Sequence, residues 1–146
     1  MIRKMQLQDI EEVGQIWLEA SIQAHDFVPA DFWRSDLVNM TTDILPHPVT
    51  EGYVFETEER IEGFITLGKD CVGCLFVRPE MQGQGIGAAL LRYVKQRRSE
   101  LELTVYQQNV RATRFYEREG FSVTGEGTCP YTGCAEHKMR WHRQAD

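Results

Sequence analysis

The segment Gln82-Gly83-Gln84-Gly85-Ile86-Gly87 constrains this chain more than any other stretch. It lies between the apolar run Leu75-Phe76-Val77 and a segment in which Ile86, Leu90, Leu91 and Val94 recur at helical spacing. Alternating glycines at a strand-to-helix junction let the backbone turn sharply and approach a ligand closely. The N–H groups that open the following helix, backed by the positive end of its dipole, then form a site for an anion. A simple turn needs fewer glycines than this. The segment predicts a strand–loop–helix unit that holds a phosphate-bearing ligand with no lysine in the loop.

Length and composition narrow the setting. At 146 residues, with 42% hydrophobic and 26% charged residues, the chain reads as one globular domain over 1–146. A net charge of -6 argues against a nucleic-acid partner and suits a cationic one. No apolar run approaches a membrane span, and acidic residues follow Met1–Met5 where a leader would be apolar, so the expected location is cytoplasmic. Cys71, Cys74, Cys129 and Cys134 invite a zinc reading. Cys71 and Cys74 fall on a predicted strand, however, where residues three apart face opposite ways, so free thiols and no metal are expected.

Periodicity supplies the rest of the frame. Ile2 to Met5 can be a short strand, and Ile10, Val13, Ile16, Trp17 and Ala20 mark an amphipathic helix. Pro29 opens a second helix with Phe32, Trp33, Leu37 and Met40 on one side, and Pro46 and Pro48 stop it. A hairpin turning at Glu58–Arg60 follows, then a strand from Cys71 to Val77. Helices are expected over 85–98 and 110–119, and strands over 101–106, 121–127 and 136–141. The order is β-α-α-β-β-β-α-β-α-β-β, a mixed α/β (α+β) domain.

Several phosphate ligands fit the loop alone. Gly83, Gly85 and Ala88 match the dinucleotide pattern G-x-G-x-x-G/A, although that pattern belongs to the first unit of a doubly wound sheet and here a hairpin and two helices precede it. A P-loop is excluded by the lack of Gly-Lys-Ser/Thr. What surrounds the loop resembles the GCN5-related N-acetyltransferases. Gln82, Gly85 and Gly87 meet their Gln/Arg-x-x-Gly-x-Gly/Ala signature, and Leu75 to Pro79 looks like their splayed central strand. Asn109, Ala112, Phe115-Tyr116 and Gly120-Phe121 resemble their second signature. Small bacterial members that acetylate protein amines are the nearest likeness.

The resemblance implies acetyl-CoA as co-substrate, a primary amine of a protein or small molecule as acceptor, and a monomer or homodimer. It implies that Leu75, Phe76 and Val77 hold the pantetheine arm and polarise the thioester, and that Gln82, Gly83, Gln84, Gly85, Ile86, Gly87 and Ala88 take the pyrophosphate. Asn109 would bond the pantetheine, and Tyr116 would protonate the leaving sulfur. A phenol is a workable donor to a thiolate as the bond breaks, and this role is favoured over the alternative that Tyr116 packs as core beside Phe115. A lysine-like amine is neutral in roughly one molecule in 10³ at pH 7, so a base is expected to help. His25 beside Asp26, and Glu56, are the leading candidates; His47, His137 and His142 rank lower. Phe27, Phe32 and Trp33 fall in the region of the acceptor wall or in the core, and Cys74 lies near the acyl site. A non-catalytic acyl-CoA-binding module on this fold and a nucleotide-dependent oxidoreductase are the alternatives.

Overall fold

The computed structural model describes residues 1–144. Its elements are β1 (Ile2–Lys4), α1 (Ile10–Ala24), α2 (Ala30–Asn39), β2 (Thr50–Glu56), β3 (Ile61–Gly68), β4 (Cys71–Val77), α3 (Ile86–Lys95), β5 (Glu100–Tyr106), α4 (Val110–Arg118), β6 (Ser122–Thr128) and β7 (Ala135–His142). The observed order is the one the periodicities predict. Helix α1 buries Val13, Ile16, Trp17 and Ala20, its expected apolar stripe. Helix α2 starts after Pro29 and widens into a π-type turn, Met40–Ile44. Of its four apolar residues only Trp33 and Met40 are fully buried, so this helix lies shallow on the fold.

The strands form one seven-stranded sheet in the order β1-β2-β3-β4-β5-β7-β6. Strand β3 is covered on both faces, which explains why seven of its eight residues are buried and why its sequence does not alternate. Strands β1 to β4 pair antiparallel, as do β5, β7 and β6. The two sets meet at a single parallel register pair, Cys71↔Glu102, beside a bond from Glu102 N–H to Asp70 O of 2.9 Å. Immediately past that point the β3–β4 register skips Gly73, passing from Leu67↔Val72 to Thr66↔Cys74. An extra residue in one strand bends it and increases its twist. The bulge thus turns β4 away from β5, and the sheet opens like a V from Cys71 onward.

Each face of the sheet has its own core. One gathers Ile65, Leu67 and Val72 with Leu90, Leu91 and Val94 of α3, and Leu101, Leu103 and Met139 of the second strand set. The other places Val13, Ile16 and Trp17 of α1 and Trp33 of α2 against Val54, Ile61 and Phe64. Full burial of side chains such as Leu90 and Leu91 contributes roughly 1.5–3 kcal/mol each. Among the described residues no helix is long and apolar enough to cross a membrane. Arg78 fixes the outer end of the open strand: its Nε donates to Ile61 O at 2.7 Å and its guanidinium to Glu12 of α1 at 2.9 Å. The mouth of the V is therefore held open by rigid neighbours.

Candidate active site

The loop after β4 is built by backbone conformation. Gly83 and Gly85 have φ of 82° and 85°, in the left-handed region that side chains disfavour. A Cβ at either position would meet nothing within 4 Å, so conformation, with open space beside it, demands glycine there. Gly85 caps α3 without a side-chain bond, which leaves the first-turn N–H groups of Ile86, Gly87 and Ala88 aimed outward. Gln82 braces the loop: its Nε2 donates to Val77 O at 3.1 Å, and its Oε1 accepts from Arg111 at 3.3 Å.

This loop forms one wall of a cleft of about 710 Å³ that runs between β4, α3 and α4. Leu75, Phe76, Val77, Gln82, Gly83, Gly85, Ile86, Gly87, Ala88 and Asn109 all line it. Gln84 does not; at the crest between two left-handed glycines it lies outside the lining. Arg111 and Arg118 line the cleft and were not foreseen. They sit one and three turns into α4 and supply positive charge beside the loop, against the acidic balance of the whole chain. No local spacing announces them, because tertiary packing alone brings α4 alongside α3.

A second cavity, about 240 Å³, fills the opening of the V. It shares Leu75, Phe76, Asn109, Ala112 and Tyr116 with the cleft, so the two spaces meet there. Tyr116 stands at this junction with no hydrogen-bond partner for its hydroxyl among the described residues. Burial, with Cys74 nearby, raises its pKa above the ordinary phenol range, so it stays protonated at neutral pH. The Cys74 thiol is pushed up to about 11 by burial, against a hydrogen bond with Thr66, and is no nucleophile at pH 7.

His25 comes to the cavity buried, in a form that weakens it as a base. It ends α1 at 7% exposure, its ring packed against those of Phe27, Trp33, Phe76 and Tyr106 at centroid distances of 5.7, 5.1, 6.5 and 4.9 Å. Burial lowers its pKa to about 4, so the ring is neutral at pH 7. Asn109 Oδ1 accepts from Ala112 N–H at 3.2 Å as the cap of α4, which turns its Nδ2 toward His25 Nε2 at 3.4 Å. An amide donor facing Nε2 makes that nitrogen the acceptor and leaves the proton on Nδ1, which is buried without a partner. In that tautomer the Nε2 lone pair faces the Asn109 amide rather than open space. Asp26 beside it is exposed.

Glu56 is corrected as well. It lines neither cavity. It lies at the far end of β2, where Arg3 bonds it at 2.9 and 3.0 Å while also bonding Asp9. Arg3 holds the Glu56 carboxyl below its usual range, the opposite of what a base needs. Trp33 lines the second cavity and Phe32 does not; Trp17, Ser21, Tyr106 and Glu136, which the sequence did not single out, do. His47, His137 and His142 line neither space.

All four cysteines are free, and among the described residues no group of three or more His, Cys, Asp or Glu could hold a metal ion. Residues 11–143 match the acetyltransferase (GNAT) domain family. The chain is 32% identical over 124 residues to the peptidyl-lysine N-acetyltransferase YiaC of Escherichia coli strain K12, covering 84% of each chain. It is 32% identical over 124 residues to the peptidyl-lysine N-acetyltransferase YjaB of the same organism, covering 85% of this chain and 83% of that one. The solution structure of apo YjaB superposes with a TM-score of 0.85 at 25% identity, covering 97% of this chain and 96% of the other. The PaiA N-acetyltransferase of Thermoplasma acidophilum, solved in complex with coenzyme A, shares the fold at a TM-score of 0.81 and 19% identity, with 98% of both chains covered. The oxidoreductase reading of the Gly83-Gly85-Ala88 pattern finds no support among these transferases. The left-handed glycine loop, the bulged β4 that leaves β5, and the sequence match over 11–143 converge on one answer: the chain belongs to the GNAT acetyltransferase family.

Proposed function

We propose that this chain moves an acetyl group from acetyl-CoA directly to a primary amine, with protein lysine side chains as the leading acceptor class. One observation carries the reading. Past Cys71↔Glu102, β4 has no partner on its β5 side, so a cleft on one side of the sheet meets a cavity on the other. An unpaired strand edge offers N–H and C=O groups to an extended amide-bearing ligand as another strand would. The pantetheine arm has that character. The N–H groups from Gly85 to Ala88 then take the pyrophosphate, with Arg111 adding charge beside them. The relatives' names, peptidyl-lysine N-acetyltransferase, support lysine as acceptor.

The chemistry follows from where the two spaces join. A thioester in the cleft presents its carbonyl near Tyr116, and an amine entering the cavity approaches from the other side. The neutral amine attacks, the C–N bond forms and the C–S bond breaks. Tyr116 gives the departing sulfur its proton and recovers one as the acetylated nitrogen sheds its own. A raised pKa keeps that proton in place at every neutral pH.

Tyr116→Phe tests the reading. Acetyl-CoA affinity by calorimetry is expected to stay within about twofold, while kcat on a lysine peptide falls about 10²-fold, the usual loss for a general acid. Unchanged turnover removes Tyr116 from the mechanism. A wild-type chain that binds acetyl-CoA but acetylates no amine replaces the enzyme with a binding module.

A further inference from the structure

The cavity in the V carries an unbalanced charge. Its titratable lining groups are Cys74 of β4, His25 at the end of α1, Tyr106 of β5, Tyr116 of α4 and Glu136 of β7. Burial keeps the first four neutral at pH 7: it raises the thiol and the phenols and lowers the imidazole. Glu136 is the remaining one and the only residue of the lining that carries a formal charge. Its side chain makes no ion pair or hydrogen bond among the described residues.

The sheet register places that carboxylate. Glu136 pairs directly with Tyr106 across β5 and β7, and directly opposed residues put their side chains on the same face. Tyr106 packs its ring on His25 at 4.9 Å and on Phe27 at 5.5 Å and donates its hydroxyl to Cys129 Sγ at 3.4 Å, so this face looks onto the cavity. The nearest cation along β7, Lys138, shares that face two residues on, but its side chain runs over Gly125 and Gly127 of β6, is exposed and does not line the cavity. The backbone of Glu136 is fixed by Gln107, whose Nε2 donates to its carbonyl at 3.2 Å.

We infer that Glu136 receives the ammonium group of the acceptor at the transfer site and takes its proton, selecting cationic primary amines on slim, unbranched stems such as lysine. The inference rests on the acetyltransferase reading and names the residue that does what neither His25 nor Glu56 is placed to do. A narrow cavity walled by Trp17, Trp33, Phe76 and Tyr106 suits a methylene stem and excludes water once that stem enters. Expelling water penalises two facing charges, so an ammonium–carboxylate pair relaxes toward its neutral form. The proton passes from nitrogen to Glu136 Oε, the neutral amine attacks the thioester, and Glu136 returns its proton to solvent after the product leaves.

Two acceptors compared at pH 7 test it: a lysine peptide, and an O-alkylhydroxylamine that is already neutral. With Glu136→Gln, kcat/KM for the peptide is expected to fall about 10²-fold while the neutral amine loses less than about threefold, the difference being the proton transfer and charge recognition removed. Glu136→Asp should restore part of the peptide rate, and acetyl-CoA affinity should hold in both variants. Equal losses on the two acceptors, or an unchanged rate on the peptide, overturn the assignment and leave the acetyltransferase reading standing. A wild type that acetylates neither acceptor overturns that reading and this inference with it.

Discussion

The cleft and the cavity that meet at Tyr116 are built on different principles. The cleft works through backbone: two left-handed glycines, a helix start without a side-chain cap, and a strand edge with no partner. The cavity works through side chains brought from α1, α2, β4, β5, α4 and β7. Backbone recognition suits a ligand whose chemistry never changes, since amide groups read phosphate and pantetheine whatever residues carry them. Side-chain recognition suits a partner that differs from one enzyme to the next. The two halves of the site should therefore fail separately and in different ways.

Gly85→Val is the strongest way to break that division. At a φ of 85° an L residue is strained by roughly 1–2 kcal/mol, and a β-branched one is stiffer still. The loop must swing out of line to relax, carrying the N–H groups of the first α3 turn with it. Acetyl-CoA affinity by calorimetry is expected to drop about 10²-fold, a 2.7 kcal/mol effect, while the acceptor KM at saturating donor stays put. If donor affinity survives, the loop is not the phosphate site.

This contrast also explains what could be read from the amino acids alone. A backbone site needs glycines and a cap within a few consecutive residues, so this loop stands in the open as Gln82–Ala88, of which Gln84 alone lies outside the cleft lining. The acceptor half hides because its members meet through tertiary register. Glu136 reaches the cavity by pairing with Tyr106, thirty positions away in the chain, and nothing near Glu136 marks it. A histidine has an imidazole suited to proton transfer near neutral pH, but burial of His25 among aromatic rings and the turned amide of Asn109 weaken it for that role, and neither is visible in the sequence. Glu56, the other candidate, is held by an arginine from β1, a pairing across 53 residues that its own neighbours do not signal. Even the opening of the sheet rests on a one-residue bulge at Gly73, which alternation counts cannot reveal.

His25 supplies the next largest effect, on stability. Its folded pKa of about 4 lies below the unfolded value of 6.5, so between those values the unfolded chain binds a proton that the folded chain refuses. Stability is therefore full above pH 6.5 and falls as pH drops toward 4. The loss by pH 4.5 is on the order of 2 kcal/mol. Urea unfolding at pH 7.5 and 4.5 should show the wild type losing that much more than His25→Gln, which cannot titrate yet can still accept from Asn109. Equal losses in the two proteins would mean the ring is hydrated and the acceptor cavity wetter than its aromatic walls indicate.

The smallest effect sharpens the comparison most. Arg111 is exposed, bonds only the Gln82 side chain among the described residues, and belongs to the donor half by its place in the cleft. An exposed charge contributes about 0.5–1 kcal/mol at most, so Arg111→Gln should weaken acetyl-CoA binding only about two- to fivefold. The salt dependence is the more telling measurement. If Arg111 meets phosphate through solvent, the gap between wild type and variant should close as ionic strength rises and the Debye length falls to about 3 Å near 1 M. The glycine loop, whose N–H groups are fixed dipoles on the wall of the cleft, should keep most of its contribution at that salt. A donor affinity that collapses with salt in both proteins alike would place the binding energy in long-range charge, and the backbone account of the cleft would give way.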